Sequence, residues 1–355
     1  MSSVCFYHVA VIGLTLRNTL QGTYEIIEGT ESVWQMPGGQ VIKGLFVIAH
    51  GCQHSATDFW PCSPACEKCT GLPEEIRIVD AVLTAGWVPI AFSSEDRDFM
   101  RCWDFGGDGP RVARAVAAFQ KRHEALTHAP VAAFGASSGG AFALQLSQLV
   151  QLKATVSQIM AIPPHMLRAA TPFPPALFVH MQRDQRTASL VHKCVHKLRE
   201  SGTRAEQLTI TPLPVNASFY KRRVRNVSSA LSVALHKALL EAGLIDAVNH
   251  MLIDDPRRSN WREAVAQAPG LAVSLPGTAE GVADTLIADQ SALAEELNVA
   301  WAQHEIIADY ADAVMRWIDD SAMSIEQAIR ASASGHDARV HQHAARREVS
   351  APSEL

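Results

Sequence analysis

The segment Val131-Ala-Ala-Phe-Gly-Ala-Ser-Ser-Gly-Gly-Ala-Phe-Ala-Leu-Gln-Leu-Ser-Gln-Leu-Val150 determines how this chain is expected to fold. It opens with the short apolar run Val131–Phe134, passes through Gly-Ala-Ser-Ser-Gly at 135–139 and continues as a helical pattern over Gly140–Val150. Such a strand, turn and helix hold a serine at the tip of a strained turn, where side chains in place of the two glycines would collide with neighbouring elements. The start of the helix directs free N–H groups toward charge beside the serine. Ser137 is therefore a candidate nucleophile, and a purely structural Gly/Ser turn is the alternative.

The same succession of apolar run and helix recurs on both sides of this segment. Short strands without polar alternation, typical of a parallel sheet covered on both faces, are predicted at Leu45–Ala49, Val88–Phe92, Val131–Phe134, Val156–Ile162, Ala176–His180 and Gln207–Thr211. Amphipathic helices are predicted between them at Glu74–Ala85, Pro110–His123 and Gly140–Val150. With a β-rich lead-in over residues 1–44, the pattern predicts an α/β fold with a mostly parallel, doubly wound sheet.

After Thr211 the pattern changes from alternating strands and helices to helices alone. Helices are predicted at Ser228–Ala242, Ile245–Ile253 and Trp261–Ala268, before a last helix that begins near Glu305 and docks on the sheet. We therefore expect a core over 1–215 and 301–330, a helical cap inserted at 216–300 and a disordered tail over 331–355.

Composition excludes several classes of protein. The 355 residues include 31 Lys and Arg against 36 Asp and Glu, with 48% hydrophobic and 19% charged residues, so neither extensive disorder nor a nucleic acid partner is expected. The apolar stretch Val4–Leu16 is shorter than the roughly 20 residues of a membrane span. No phosphate-binding loop and no Gly-x-Gly-x-x-Gly that opens a helix is present, so no cofactor is expected.

Two motifs carry a resemblance to a known superfamily. Leu45–Ala49 followed by His50-Gly51 resembles the strand and oxyanion loop of the α/β-hydrolases, and Ser137 resembles their nucleophile. The segment His50–Trp60, taken with Gly135–Gly140, is also similar to a little-characterised branch of that superfamily in plants and algae. The resemblance implies an α/β-hydrolase fold, but the closer match brings no substrate with it.

A serine nucleophile needs a base held by a carboxylate, in the chain order serine, acid, histidine. Asp184 is the first carboxylate after Ser137 and follows a strand at the carboxyl edge of the sheet, although a salt-bridged loop residue is the alternative. His304 matches the position at which the superfamily delivers its base, with His250 as the runner-up. His236 is interpreted as a residue on a helix face.

The backbone N–H groups of Ser138 and Cys52 are the predicted oxyanion donors, with Gln53 as second choice after Cys52. Gln53, Trp60 and Trp103 are candidates for contacting the substrate. Together these residues predict a serine hydrolase that cleaves a small-molecule or polymeric carboxylic ester. The alternatives are a peptidase or carbohydrate-ester deacetylase with the same triad, or a non-catalytic ligand-binding protein. The oligomeric state is not predicted.

Five of the seven cysteines lie between positions 52 and 102. Cys62, Cys66 and Cys69 could form disulfides in an oxidising compartment or part of a zinc site, with His50 and His54 as further ligands. Two disulfides among Cys52, Cys62, Cys66, Cys69 and Cys102 are favoured, since a paired zinc layout is missing. A secretory or extracellular location is slightly favoured over a cytoplasmic one.

Overall fold

A computed structural model of the chain describes residues 16–39, 41–169, 172–268 and 291–333. The apolar stretch near the N-terminus and most of the predicted tail therefore lie outside the described residues. None of the helices within these ranges has the length and apolar character that crossing a bilayer demands.

The described strands form one eight-stranded sheet. They are β1 (Thr23–Ile27), β2 (Thr30–Trp34), β3 (Gly44–Ala49), β4 (Trp87–Phe92), β5 (Val131–Ala136), β6 (Leu152–Gln158), β7 (Ala176–Met181) and β8 (Ala205–Ile210). Their spatial order is β1-β2-β4-β3-β5-β6-β7-β8, in which β3 to β8 run parallel and β1 and β2 are antiparallel additions at one edge. This is the α/β-hydrolase arrangement, and the predicted fold class is confirmed.

Helices cover both faces of the sheet. They are α1 (Pro73–Thr84), α2 (Phe105–Arg122), α3 (Ser138–Leu146), α4 (Gln185–Glu200), α5 (Phe219–Arg223), α6 (Ser229–Glu241), α7 (Trp261–Gln267), α8 (Ala292–Trp301) and α9 (Ala311–Asp319), followed by a helix over residues 325–333. Alternate residues of β3 face opposite layers: Phe46 and Ile48 pack with α1 and α9, whereas Leu45 and Val47 pack with α2 and α3. Strands buried on both faces explain the apolar runs in the sequence.

Two predicted helices differ from the structure because side chains take the backbone N–H groups. Residues 245–253 form a tight bend in which Ile245 bridges Leu252 and the Asp246 carboxylate accepts three backbone N–H bonds, an alternative to helical bonding. The last helix starts at Ala311 rather than near Glu305. Its expected first turn is extended because the N–H of Ala308 donates to the buried Glu74 carboxylate at 2.6 Å.

Helix α2 begins five residues before the predicted start at Pro110. The Asp104 side chain caps it by accepting a hydrogen bond from the N–H of Gly107 at 3.0 Å. The cap adds a first turn that the apolar pattern does not reveal, because residues 105–109 contain three glycines, an aspartate and only one apolar side chain.

The segment between β8 and α9 has its own apolar core, built from α5 to α8 around Trp261 and Leu297. It joins the sheet layer through a buried ion cluster centred on Arg223 of α5, whose guanidinium contacts Glu74 of α1, Glu296 of α8 and Asp309 before α9. Both glutamate side chains are fully buried. The helical cap expected at residues 216–300 stays a prediction.

Replacing Arg223 with methionine should lower the free energy of unfolding by about 3 kcal/mol or more, because removing one partner leaves buried carboxylates unpaired. Urea unfolding of the two proteins measures the difference. Arg222→Met is the matched control, since Arg222 is the exposed neighbour on the same helix. Equal losses in both variants would contradict the anchoring role of Arg223.

Candidate active site

Ser137 occupies a strained turn between β5 and α3. Its φ and ψ are 52° and −121°, a backbone conformation that residues other than glycine rarely adopt. Its N–H donates to the carbonyl of Gln158 at 3.0 Å. A Cβ at position 135 would overlap with the carbonyl of Gly139, and a Cβ at 139 would overlap with the carbonyl of Ala49. Both glycines are therefore needed to bring the start of α3 this close to β3 and β5.

The structure brings the three predicted triad side chains together. Ser137 Oγ lies 3.0 Å from His304 Nε2, so that the hydroxyl can donate to the imidazole. His304 Nδ1 lies 2.8 Å from Asp184 Oδ2 on its other side. Hydrogen bonds of this length, in this order, are the geometry that proton transfer from a serine hydroxyl requires. His304 lies in the loop between α8 and α9.

Asp184 is held at the start of α4, directly after β7. Its Oδ1 caps the helix by accepting from the N–H of Thr187 at 3.1 Å, while Oδ2 accepts from His304. Burial raises the pKa of Asp184, but the hydrogen bonds from His304 and Thr187 outweigh burial and lower it below its usual range. The alternative of a salt bridge with Arg183 is not observed, since that guanidinium lies over the Trp301 ring, 3.4 Å from its centroid.

The loop that carries His304 is fixed by hydrogen bonds from two side chains and by the backbone conformation at its start. The side chain of Gln158, the last residue of β6, accepts from the N–H of Ile307 at 3.0 Å and donates to its carbonyl at 2.8 Å. Arg257 Nη2 donates to the carbonyl of His304 at 2.7 Å. Ala302 takes the left-handed conformation that ends α8. The imidazole is thus positioned by residues distant in sequence.

The runner-up base, His250, is not near the serine. Its Nδ1 lies 3.2 Å from Nε2 of His236, with which it forms a pair in the helical segment after β8. Of the candidate histidines, the structure brings His304 to Ser137.

Ser138 follows the serine directly, and Cys52 lines the same cavity as Ser137. A Cβ at Gly51 would lie 3.7 Å from both the carbonyl oxygen of Ala136 and the Cβ of Ser137, which places the loop after β3 beside the turn. Within the described ranges, no backbone acceptor bonds the N–H of Cys52 or of Ser138. The N–H of Gln53, in contrast, donates to the carbonyl of Met100 at 2.9 Å. Cys52 is therefore better placed than Gln53 to serve an oxyanion.

Disulfides join the cysteines around this loop. Cys52 pairs with Cys102, with their Cα atoms 4.3 Å apart, and so ties the loop after β3 to the loop after β4. Cys66 pairs with Cys69, with Cα atoms 5.4 Å apart. In the part of the chain that the structure describes, no group of three or more His, Cys, Asp and Glu side chains is arranged to hold a metal ion.

The two histidines considered as metal ligands have protein partners instead. His50 is buried, which lowers its pKa to about 3. The neutral ring donates from Nδ1 to the Gly51 carbonyl at 2.6 Å and accepts at Nε2 from the N–H of Ser94 at 3.1 Å. Burial lowers the pKa of His54, but its hydrogen bond to Asp58 and three nearby carboxylates raise it to about 9. His54 is therefore a cation at neutral pH.

A cavity of about 370 Å³ lies beside Ser137 and His304. Its walls include the charged or ionisable side chains of Glu75, Glu295, Glu305, His54 and Arg257 and the apolar side chains of Leu72, Ile159 and Ile306. The three glutamates and Arg257 were not predicted from the sequence. Glu75 is one of two acids in the first turn of α1, a common place for a carboxylate, so no signal in the sequence pointed to it.

The predicted substrate contacts do not reach this cavity. Trp60 is fully buried in the core, where its indole N–H donates to Gln35 at 3.0 Å. Trp103 stacks on Phe142 and donates to the carbonyl of His50. The Gln53 side chain turns outward to Met100. Large aromatic side chains are more often structural than ligand-binding, and both indoles satisfy their N–H groups within the protein.

No protein-family model and no curated protein matches the chain. Among solved structures it is similar to a dienelactone hydrolase from Anabaena variabilis, with 18% identity, a TM-score of 0.42 and coverage of 55% of this chain and 87% of that chain. It is also similar to a lidless α/β serine hydrolase from Xanthomonas campestris, with 12% identity, a TM-score of 0.37 and coverage of 55% of this chain and 87% of that chain. A third similar structure is an esterase from Thermogutta terrifontis, with 14% identity, a TM-score of 0.40 and coverage of 62% of this chain and 95% of that chain. At such low scores, the likenesses say nothing about substrate or catalytic residues.

The proton on His54 should make stability depend on pH. Because the folded-state pKa of about 9 exceeds the usual 6.5, the contribution of His54 to the free energy of unfolding is complete below pH 6.5 and is lost as pH rises through 9. Urea unfolding on both sides of this window should show the advantage of wild type over His54→Gln shrink by up to about 3 kcal/mol. The control, His196→Gln, removes a histidine exposed at the surface and should show little change.

Proposed function

We propose that the protein is a serine hydrolase that cleaves a carboxylic ester through an acyl-enzyme, with Ser137 as nucleophile, His304 as base and Asp184 as the acid that orients the imidazole. The observation that carries the proposal is the unbroken hydrogen-bond chain from Ser137 Oγ through His304 to Asp184, at 3.0 and 2.8 Å. An intact chain of this kind favours catalysis over the alternative of passive ligand binding.

The reaction follows from these contacts in two halves. Ser137 Oγ attacks the ester carbonyl carbon while its proton passes to His304 Nε2, and the charged Asp184 stabilises the resulting imidazolium. The carbonyl oxygen becomes an oxyanion that accepts from the N–H groups of Ser138 and Cys52. The intermediate then expels the alcohol, which takes the proton from His304. Water, deprotonated by His304, attacks the acyl-enzyme and releases the acid and the free serine.

Ser137→Ala should reduce hydrolysis of a short-chain nitrophenyl ester by about a thousandfold or more while the thermal transition stays nearly unchanged. Asp184→Asn should cause a loss of similar size, because the imidazole is no longer held in the required tautomer. Initial rates and covalent labelling by a fluorophosphonate measure both effects.

The matched control is Ser189→Ala, which changes an exposed serine on α4. Retained turnover and labelling in Ser137→Ala would remove Ser137 as the nucleophile. A panel of matched esters, amides and acetylated sugars separates an esterase from a peptidase or a deacetylase, since each class acts on a different bond with the same triad.

We further propose that the protein matures in an oxidising compartment, where the pairs Cys52–Cys102 and Cys66–Cys69 form. Intact-mass measurement after alkylation should leave these four cysteines unmodified until a reductant is added. Modification of any of them without reductant, in protein purified from its native source, would contradict the proposal.

A further inference from the structure

Two glutamates in the wall of the cavity lack the partners that buried carboxylates normally have. Glu75 of α1 and Glu295 of α8 line the cavity that contains Ser137, and their residues are only 3% and 5% exposed. Among the residues that the structure describes, no N–H or hydroxyl group donates to Oε2 of Glu75 or to either carboxylate oxygen of Glu295. The two carboxyl groups lie within hydrogen-bond reach of each other, but only a protonated one can donate to the other. An unpartnered buried carboxylate is costly, so its presence needs an explanation.

The neighbouring glutamates on the same two helices show the contrast. Glu74 precedes Glu75 and Glu296 follows Glu295, and Arg223 contacts both Glu74 and Glu296 in the buried ion cluster. Each helix therefore carries one glutamate that is matched by an arginine and one that lines the cavity without such a match. Among the described residues, the two cavity glutamates have no salt bridge to an arginine or a lysine.

The cations of the cavity are already engaged. His54 donates from Nδ1 to Asp58 at 3.1 Å, and Arg257 contacts Glu305 at 3.1 Å. The charge of His54 also acts on Glu75, yet burial outweighs it and raises the pKa of Glu75. Burial and the charge of Glu75 raise the pKa of Glu295 as well. One proton shared between the two carboxyl groups relieves part of their repulsion, and a bound cation would relieve it more completely.

We propose that Glu75 and Glu295 form a subsite for an ammonium group, so that the preferred ester carries an amine. This inference rests on the proposed function, because Ser137 of the same cavity would attack that ester. An ammonium supplies both the positive charge and the N–H donors that the unpartnered oxygens lack. The cavity walls contain no Trp, Tyr or Phe ring among the described residues, so a quaternary ammonium, which binds on aromatic faces, fits less well.

The test compares esters that differ only in the amine. One pair places it on the acyl side, methyl ε-aminocaproate against methyl heptanoate. The other places it on the alcohol side, dimethylaminoethyl butyrate against its carbon isostere isopentyl butyrate. Wild type should favour the amine of at least one pair by about tenfold or more in kcat/KM, the size expected for one charge-assisted contact. No preference for the amine in either pair would overturn the proposal.

Glu75→Gln and Glu295→Gln should each bring that preference close to one, because the amide keeps the shape and removes the charge. The matched control is Glu263→Gln, an exposed glutamate of α7, which should keep the preference. Thermal unfolding checks that the variants fold. Their transition temperatures should not decrease, since each change removes a buried charge. A preference that persists in both cavity variants would overturn the proposal.

Binding separates this inference from the proposed function. Calorimetric titration of Ser137→Ala with the same two pairs of esters measures their binding affinities in the absence of hydrolysis. If the wild type hydrolyses no ester and resists the fluorophosphonate, the proposed function fails. Tighter binding of the amine ester, abolished by adding Glu295→Gln, would still support the subsite, whereas equal or absent binding would refute it.

Discussion

The hydrogen-bond chain from Asp184 through His304 to Ser137 is the interaction on which the proposed chemistry of this molecule depends. Its members come from the ends of β5 and β7 and from a loop after α8, so they meet only because parallel strands end at one edge of the sheet. The strained backbone of Ser137 and the close approach of Gly139 to β3 persist because the packed sheet and α3 hold them in place.

Salt bridges hold together the helices that lie beside the Ser137–His304–Asp184 hydrogen bonds. Arg223 draws together α1, α5, α8 and the segment before α9, and the same helices bring Glu75 and Glu295 to the cavity. Structure and proposed specificity are therefore linked: the ion cluster that fixes the helices also fixes the position of the unmatched glutamates. The bond between Glu74 and Ala308 adds to this link by holding the loop that follows His304.

Much of the fold could be predicted because it depends on local pattern. Strands buried on both faces produce continuous apolar runs such as Leu45–Ala49, and the Gly-x-Ser-x-Gly turn requires glycine for steric reasons. The helix predictions were wrong where a side-chain carboxylate accepts the backbone N–H groups that a helix would use. Asp246 prevents the helix expected at 245–253, and the carboxylate of Glu74, far away in sequence, prevents an earlier start of α9.

The sequence by itself determined the parallel sheet, the turn that presents Ser137 and a short set of candidates for the acid and the base, because period, glycine sterics and chain order are local or topological properties. Only the tertiary structure decided which histidine meets the serine, that Trp60 is a core residue and that Glu75 and Glu295 share a cavity. The triad contacts join segments more than 100 residues apart. A carboxylate in the first turn of a helix looks the same in sequence whether it faces solvent or a binding site.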